Sequence, residues 1–155
     1  MTKNLDTLIN EISFEIVKNQ IVDENEINKM LGVLSNDGVY AFWVYTLKEL
    51  KINAVYFYDL LFTYEKEEKP GNLIADICKF DNLMELSILK NEIETLNNNS
   101  EKNKKKEKEL FKDWQIKASK NFQNLSHNLN ELLFFREILE KILIYARYHA
   151  KAMGD

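Results

Sequence analysis

The sequence predicts an all-α protein, a compact bundle of about five to six helices carrying a mobile Lys/Asn-rich tip. Three observations predict it. One proline and four glycines punctuate 155 residues, too few for a chain of short strands and tight turns. Steps of seven from Phe111 read Phe111, Ala118, Leu125, Leu132, Leu139 and Ala146, one apolar phase held without a polar interruption. Elsewhere apolar residues recur at three and four rather than alternating. Apolar residues make up 45% and aromatics 12%, enough to bury a core. An 18.4 kDa chain reads as a single helical domain over 1–155.

Leu5, Leu8, Ile9, Ile12 and Ile16 mark a first helix over about Asn4 to Asn19. A second starts at Asp23, where Asp23 and Glu26 form the pattern of a capping box, and Ile27, Met30, Leu31 and Leu34 supply its apolar stripe. Ser35-Asn36-Asp37-Gly38 breaks the run and reads as a helix-turn-helix joint. Val39 to Leu50 is apolar nearly all round, with Tyr40, Phe42, Trp43 and Tyr45, so it is either central or at an interface. Val55 to Tyr64 has the β-branched and aromatic content of a strand. Without partner strands it reads as a helix. Glu65 to Asn72 is a charged loop with Pro70-Gly71. Leu73 to Leu96 resumes helical spacing, with Asp81-Asn82 as a possible interruption. Residues 97–109 contain no apolar residue and are expected to form a flexible charged hairpin or loop. The final helical stretch, Phe111 to Met153, is expected to break between Asn121 and Asn128, because Asn and Ser are poor helix formers.

Few catalytic arrangements are available. Cys78 is the sole cysteine, which excludes an intrachain disulfide and a cysteine-based zinc site and suits a reducing cytoplasm. His127 and His149 lack the Glu-x-x-His offset of helical metal sites, so no metal or other cofactor is expected. Glu65, Glu67 and Glu68 cluster in a loop without a histidine and read as solvated. No phosphate-loop, dinucleotide or nucleophile-elbow motif occurs, and the chain is not expected to be an enzyme. Met1 to Asn10 lacks the apolar core of a secretory leader, and no run approaches a membrane span.

Charge is unevenly placed. Residues 1–100 carry 9 basic and 17 acidic side chains, whereas residues 101–155 carry 12 and 8. A front of net −8 and a back of net +4 suit contact between the back and a polyanion, or docking of one copy on another. Lys102, Lys104, Lys105, Lys106 and Lys108 form a basic patch blunted by Glu101, Glu107 and Glu109, which reads as solvated. Lys117, Lys120, Arg136, Lys141, Arg147 and Lys151 fall on helix. Arg136 and Arg147 are eleven residues apart, three turns, and share a face able to grip phosphates.

Two segments resemble the small-subunit family of the type III-B CRISPR effector, the fifth protein of the Cmr complex. One is Ser35-Asn36-Asp37-Gly38-Val39-Tyr40-Ala41-Phe42-Trp43, a turn followed by a small and aromatic run. The other runs from Phe135 to Ala152, a Glu followed by an aromatic and aliphatic stripe and a basic, alanine-containing end. The chain departs from the family in being acidic overall, in lacking a proline before the turn and in its Lys/Asn tip. The resemblance implies a non-catalytic, cytoplasmic subunit of an antiviral ribonucleoprotein. Its partners would be other effector subunits, further copies of itself stacked head to tail, and guide and target RNA. Arg147 and Lys151 match the basic end of the family's closing helix. The competing expectation is a helical scaffold or regulatory adaptor without RNA binding, docking through Tyr40, Trp43 and Tyr45.

Overall fold

A computed structural model describes residues 4–64, 71–96 and 100–154, and all regular structure among them is helical. Seven helices follow in order: α1 (Leu5–Lys18), α2 (Glu24–Leu50), α3 (Ile52–Thr63), α4 (Leu73–Cys78), α5 (Leu83–Thr95), α6 (Glu101–Leu125) and α7 (Leu129–Gly154). The all-α class is as the sequence predicts; the count of five to six is low. The stretch 73–96 splits at Lys79 and Asn82, both left-handed, and the closing stretch splits at Ser126 to Asn128. Glu65, Glu67, Glu68 and Pro70 of the charged loop, and residues 97–99 of the expected tip, lie outside the described residues.

The sequence signals set the joints. Asp23 accepts from the Glu26 amide at 2.8 Å and Glu26 reaches back to the Asp23 amide, closing the capping box of α2. The expected turn at Ser35–Gly38 is a sharp bend inside α2. Gly38 adopts φ 92°, ψ −173°, a region only glycine enters without strain. Lys51 at φ 54° turns the chain from α2 into α3. Asn72 caps α4 by accepting from the Ala75 amide and donates its own amide to Leu61 O, tying α4 to α3. Asn128 caps α7 by accepting from the Glu131 amide.

The expectation of a flexible loop over 97–109 is corrected for its described part. Residues 101–109 are the first turns of α6, started by Ser100, whose hydroxyl accepts from the Asn103 amide. Lysine and glutamate are good helix formers as well as good solvation groups, so an absence of apolar residues does not exclude helix. The turns are continuous with an anchored segment, in which Leu110, Trp114, Ala118, Phe122 and Leu125 are buried.

The core is a packed set of rings. Trp43 stacks on Phe122 with centroids 4.2 Å apart, and Trp114, Tyr58, Phe62, Phe80 and Phe135 join them edge-on or tilted. Polar groups inside it are satisfied. Thr46 gives its hydroxyl proton to Trp43 O at 2.8 Å, so Tyr58, also 2.8 Å away, donates to Thr46 Oγ1. Asn121, 3% exposed, accepts from the Asp81 amide and donates to Asp81 O, holding the α4–α5 connection against α6. Helix α7 packs against α1, α2 and α4. Lys151 meets Glu24 and Arg136 meets Ser35, so α7 runs antiparallel to the first half of α2.

Candidate nucleic-acid interface

The six predicted phosphate-contacting residues divide by how their charge is used. Lys117 pairs with Glu85 of α5 at 3.5 Å, Lys141 with Glu137 at 3.6 Å, and Lys151 with Glu24 at 3.9 Å. Arg136 donates to Ser35 O at 2.9 Å and lies 3.9 Å from Glu140. Ser35 is three residues before the Gly38 bend, where the first half of α2 ends. A cation is favourable there, against the negative end of the helix dipole. Arg136 is thus a structural clasp between the two segments that carry the family resemblance. Lys120 and Arg147 make no ion pair among the described residues. Arg136 and Arg147 share an edge of α7 as their spacing requires, but of the two only Arg147 is without an ion-pair partner among the described residues.

A larger cationic surface stands on α6. Its 25 residues carry eight lysines against four acids, in a chain whose net charge is −4. Lys102, Lys104, Lys105, Lys106, Lys108, Lys112 and Lys120 are exposed and make no ion pair with any described residue. Lys102, Lys105, Lys112 and Lys120 fall within one outward sector, opposite the sector of Leu110, Trp114, Ala118 and Asn121. Lys102 and Lys120 are separated by about 27 Å along the axis at 1.5 Å per residue. Sequence reasoning placed Lys112 and Lys120 on helix but not Lys102 and Lys105, because it read residues 97–109 as a loop, so it missed that the four share one face.

Like charges crowd the start of this helix. Lys102 with Lys106, and Lys104 with Lys108, are i,i+4 pairs, which repel. The lysines of the first two turns also oppose the helix dipole. A polyanion laid along α6 would relieve both penalties.

The aromatic segment divides differently from its expectation as a docking patch. Trp43 is 1% exposed and belongs to the core, so it is not a contact residue. An all-round apolar segment does not reveal which ring points inward. Tyr40 is exposed, and Val44, one turn further on, joins it outside. Tyr45 is half-buried. Burial and the neighbouring carboxylates of Glu49 and Glu26 push its hydroxyl above the ordinary tyrosine range.

Other reactive groups are quiet. Cys78 is buried, and burial together with the Glu131 carboxylate pushes its thiol up to about 12, so it stays protonated and poorly nucleophilic at neutral pH. His149 sits edge-on to Phe14 with centroids 5.5 Å apart and meets Asn10 Oδ1 at 3.2 Å, a rim contact between α1 and α7. His127 is exposed in the α6–α7 turn. A crevice between α3, α5 and α6 brings Asp59, Ser87 and Lys90 together, with Lys90 3.6 Å and Ser87 3.4 Å from the Asp59 carboxylate. Lys90 also pairs with Glu94. The crevice has room for about one water molecule, too little for a substrate. Among the described residues no group of three or more His, Cys, Asp or Glu is placed to hold a metal ion, and no helix is long and apolar enough to cross a membrane.

A scan against models of known protein families, a search of curated proteins and a search of solved structures each returned no match.

Proposed function

We propose that the chain is a non-catalytic RNA-binding subunit of a type III CRISPR effector complex, the role implied by the Ser35–Trp43 and Phe135–Ala152 segments. The observation that carries the RNA-binding part is the outward face of α6. There, Lys102, Lys105, Lys112 and Lys120 stand on one rigid helix without ion-pair partners among the described residues. Such a face grips phosphates without reading bases, which suits a subunit lining a channel in which another RNA supplies the sequence information. Arg147 is a second contact point. Lys117, Arg136, Lys141 and Lys151 are already engaged with neighbours and contribute less. The family assignment draws support from the meeting of the two resembling segments through the hydrogen bond between Arg136 and Ser35, residues 101 apart in the chain.

Photo-crosslinking of the complex purified at low salt tests this reading. Guide-length RNA should crosslink to peptides of α6, and other effector subunits should co-purify. A purified assembly without RNA, or crosslinks confined to peptides outside α6 and α7, contradicts it.

A second reading has its own observation. Tyr40 and Val44 are exposed at i,i+4 on the second half of α2, the pattern of an anchor for a partner helix. A scaffold without RNA binding would lose its partner on Tyr40→Asp with Val44→Asp and be indifferent to changes in the α6 lysines.

A further inference from the structure

Apolar side chains stand among and beside the lysines of α6, and we propose that the surface shared by α5 and α6 takes an unpaired polynucleotide strand. Its phosphates lie on the lysines and its bases on Met84, Ile88 and Ile116. The proposal rests on the reading of α6 as the RNA-facing helix and adds which form of RNA it takes. Glu85 and Lys117 join the two helices at 3.5 Å. The apolar groups flank that pair. Ile88 is one turn on from Glu85, Met84 is one turn back from Ile88 on the same face of α5, and Ile116 adjoins Lys117 in sequence. Met84 is 57%, Ile88 49% and Ile116 56% exposed, so three large apolar groups stand in solvent around one ion pair.

Ile116 also lies inside the cationic sector. Lys112 and Lys120 are four residues to either side of it, about 6 Å along the axis and about 40° around it in each direction. Among the exposed acids of the two helices, Glu85 and Glu94 are met by Lys117 and Lys90. Glu92, Glu101, Glu109 and Asp113 remain, against seven exposed lysines without ion-pair partners among the described residues. The surface is therefore cationic and apolar at once. A polynucleotide strand has the matching pair of edges, one of phosphates and one of bases. In a duplex the bases are stacked and paired, and the outer surface offers phosphates and sugars that an isoleucine or methionine cannot use. An unpaired strand leaves its base faces open to apolar side chains while its backbone stays on the lysines. Every base has such a face, so the contact tolerates any sequence.

Binding of the full chain to a labelled single-stranded RNA of about 15 nucleotides, to the matched duplex and to inorganic polyphosphate tests this at about 0.15 M salt. Charge alone favours the duplex, which releases more counterions per contact, about 0.9 against 0.7. The wild-type chain should nevertheless bind the single strand about threefold or more tighter than the duplex. Met84→Ala with Ile88→Ala and Ile116→Ala should weaken single-strand binding about tenfold and erase that preference. Because no charge changes, the salt slope and the affinity for polyphosphate should stay as in the wild type. Wild-type protein that binds polyphosphate and RNA but prefers the duplex overturns the proposal and leaves the RNA-facing role of α6 standing. So does a triple variant with unchanged single-strand affinity, including one that loses a co-purifying protein, which would assign these side chains to that protein. A triple variant that also loses polyphosphate binding overturns it too, by showing that the three residues hold the shape of the surface. A wild-type chain that binds none of the three probes overturns both the proposal and the reading beneath it.

Discussion

The two halves of α6 belong to one helix and obey different physics. From Leu110 to Leu125 the helix is anchored: Trp114 lies against Trp43 and Tyr58, Phe122 stacks on Trp43, and Asn121 holds both backbone groups of Asp81. From Glu101 to Glu109 no residue is buried, and the turns carry five lysines and three glutamates. Helix formation is costly to nucleate and cheap to extend, so the anchored half supplies the nucleus and the charged half continues it. The comparison teaches that a low-complexity charged run is structured or not according to what it is attached to. It also shows an uneven division of labour: the half that stabilises the fold carries fewer lysines without an ion-pair partner among the described residues, and the half richer in them buries nothing.

The anchored half is the place to break the fold. Trp114→Ala removes a ring 2% exposed and should cost about 3–5 kcal/mol by chemical denaturation, with the charged half unfolding together with the rest. A smaller effect than this would mean that the ring cluster is not the anchor. Alkaline pH attacks the same core, through Cys78 and Tyr58. Burial raises the thiol of Cys78 to about 12 and raises the hydroxyl of Tyr58 further above its ordinary range. Both groups ionise more readily in the unfolded chain. The stability tied to their neutral forms is therefore complete below about pH 8.5 and drains away as pH rises toward 12. Denaturant midpoints measured from pH 8 to pH 11 should fall over that window, and a flat profile would contradict the burial of both groups.

A bend far from α6 gives an intermediate effect. Gly38→Ala meets no atom within 4 Å, so its cost is purely the backbone strain of φ 92°, about 1–3 kcal/mol, with helix content by circular dichroism little changed. The smallest effect belongs to the exposed lysines of α6. Lys102→Gln with Lys105→Gln and Lys112→Gln should move stability by no more than about 0.5 kcal/mol, and relief of like-charge repulsion makes a slight gain the expected sign. A larger loss would show that these lysines hold the helix.

Local grammar was legible. The capping box at Asp23 and Glu26, the joint at Gly38, the interruption at Asp81-Asn82 and the turn after Asn121 all follow from residues within a few positions of each other, and the structure places a break or a cap at each. The phase from Phe111 to Ala146 also survives, with every member buried or half-buried even though the helix breaks at Ser126–Asn128. What depended on distant partners was not legible. Arg136 looked like a phosphate ligand because its acceptor, Ser35 O, lies 101 residues away. Trp43 looked like a docking residue because the rings that bury it come from α3 and α6. The lysine run looked like a loop because its composition suits solvent and helix equally, and only Trp114 and Phe122 further along decide between them.

The most direct test of the account is the salt dependence of RNA binding by the wild-type chain and by a variant with Lys102, Lys105, Lys112 and Lys120 all changed to Gln. Single-strand affinity should fall linearly in log–log form with rising salt, at a slope of about 0.7 per phosphate contact, and the variant should bind more weakly with a slope shallower by roughly two to three. Identical slopes and affinities for the two proteins would contradict the assignment of α6 as the RNA-facing surface.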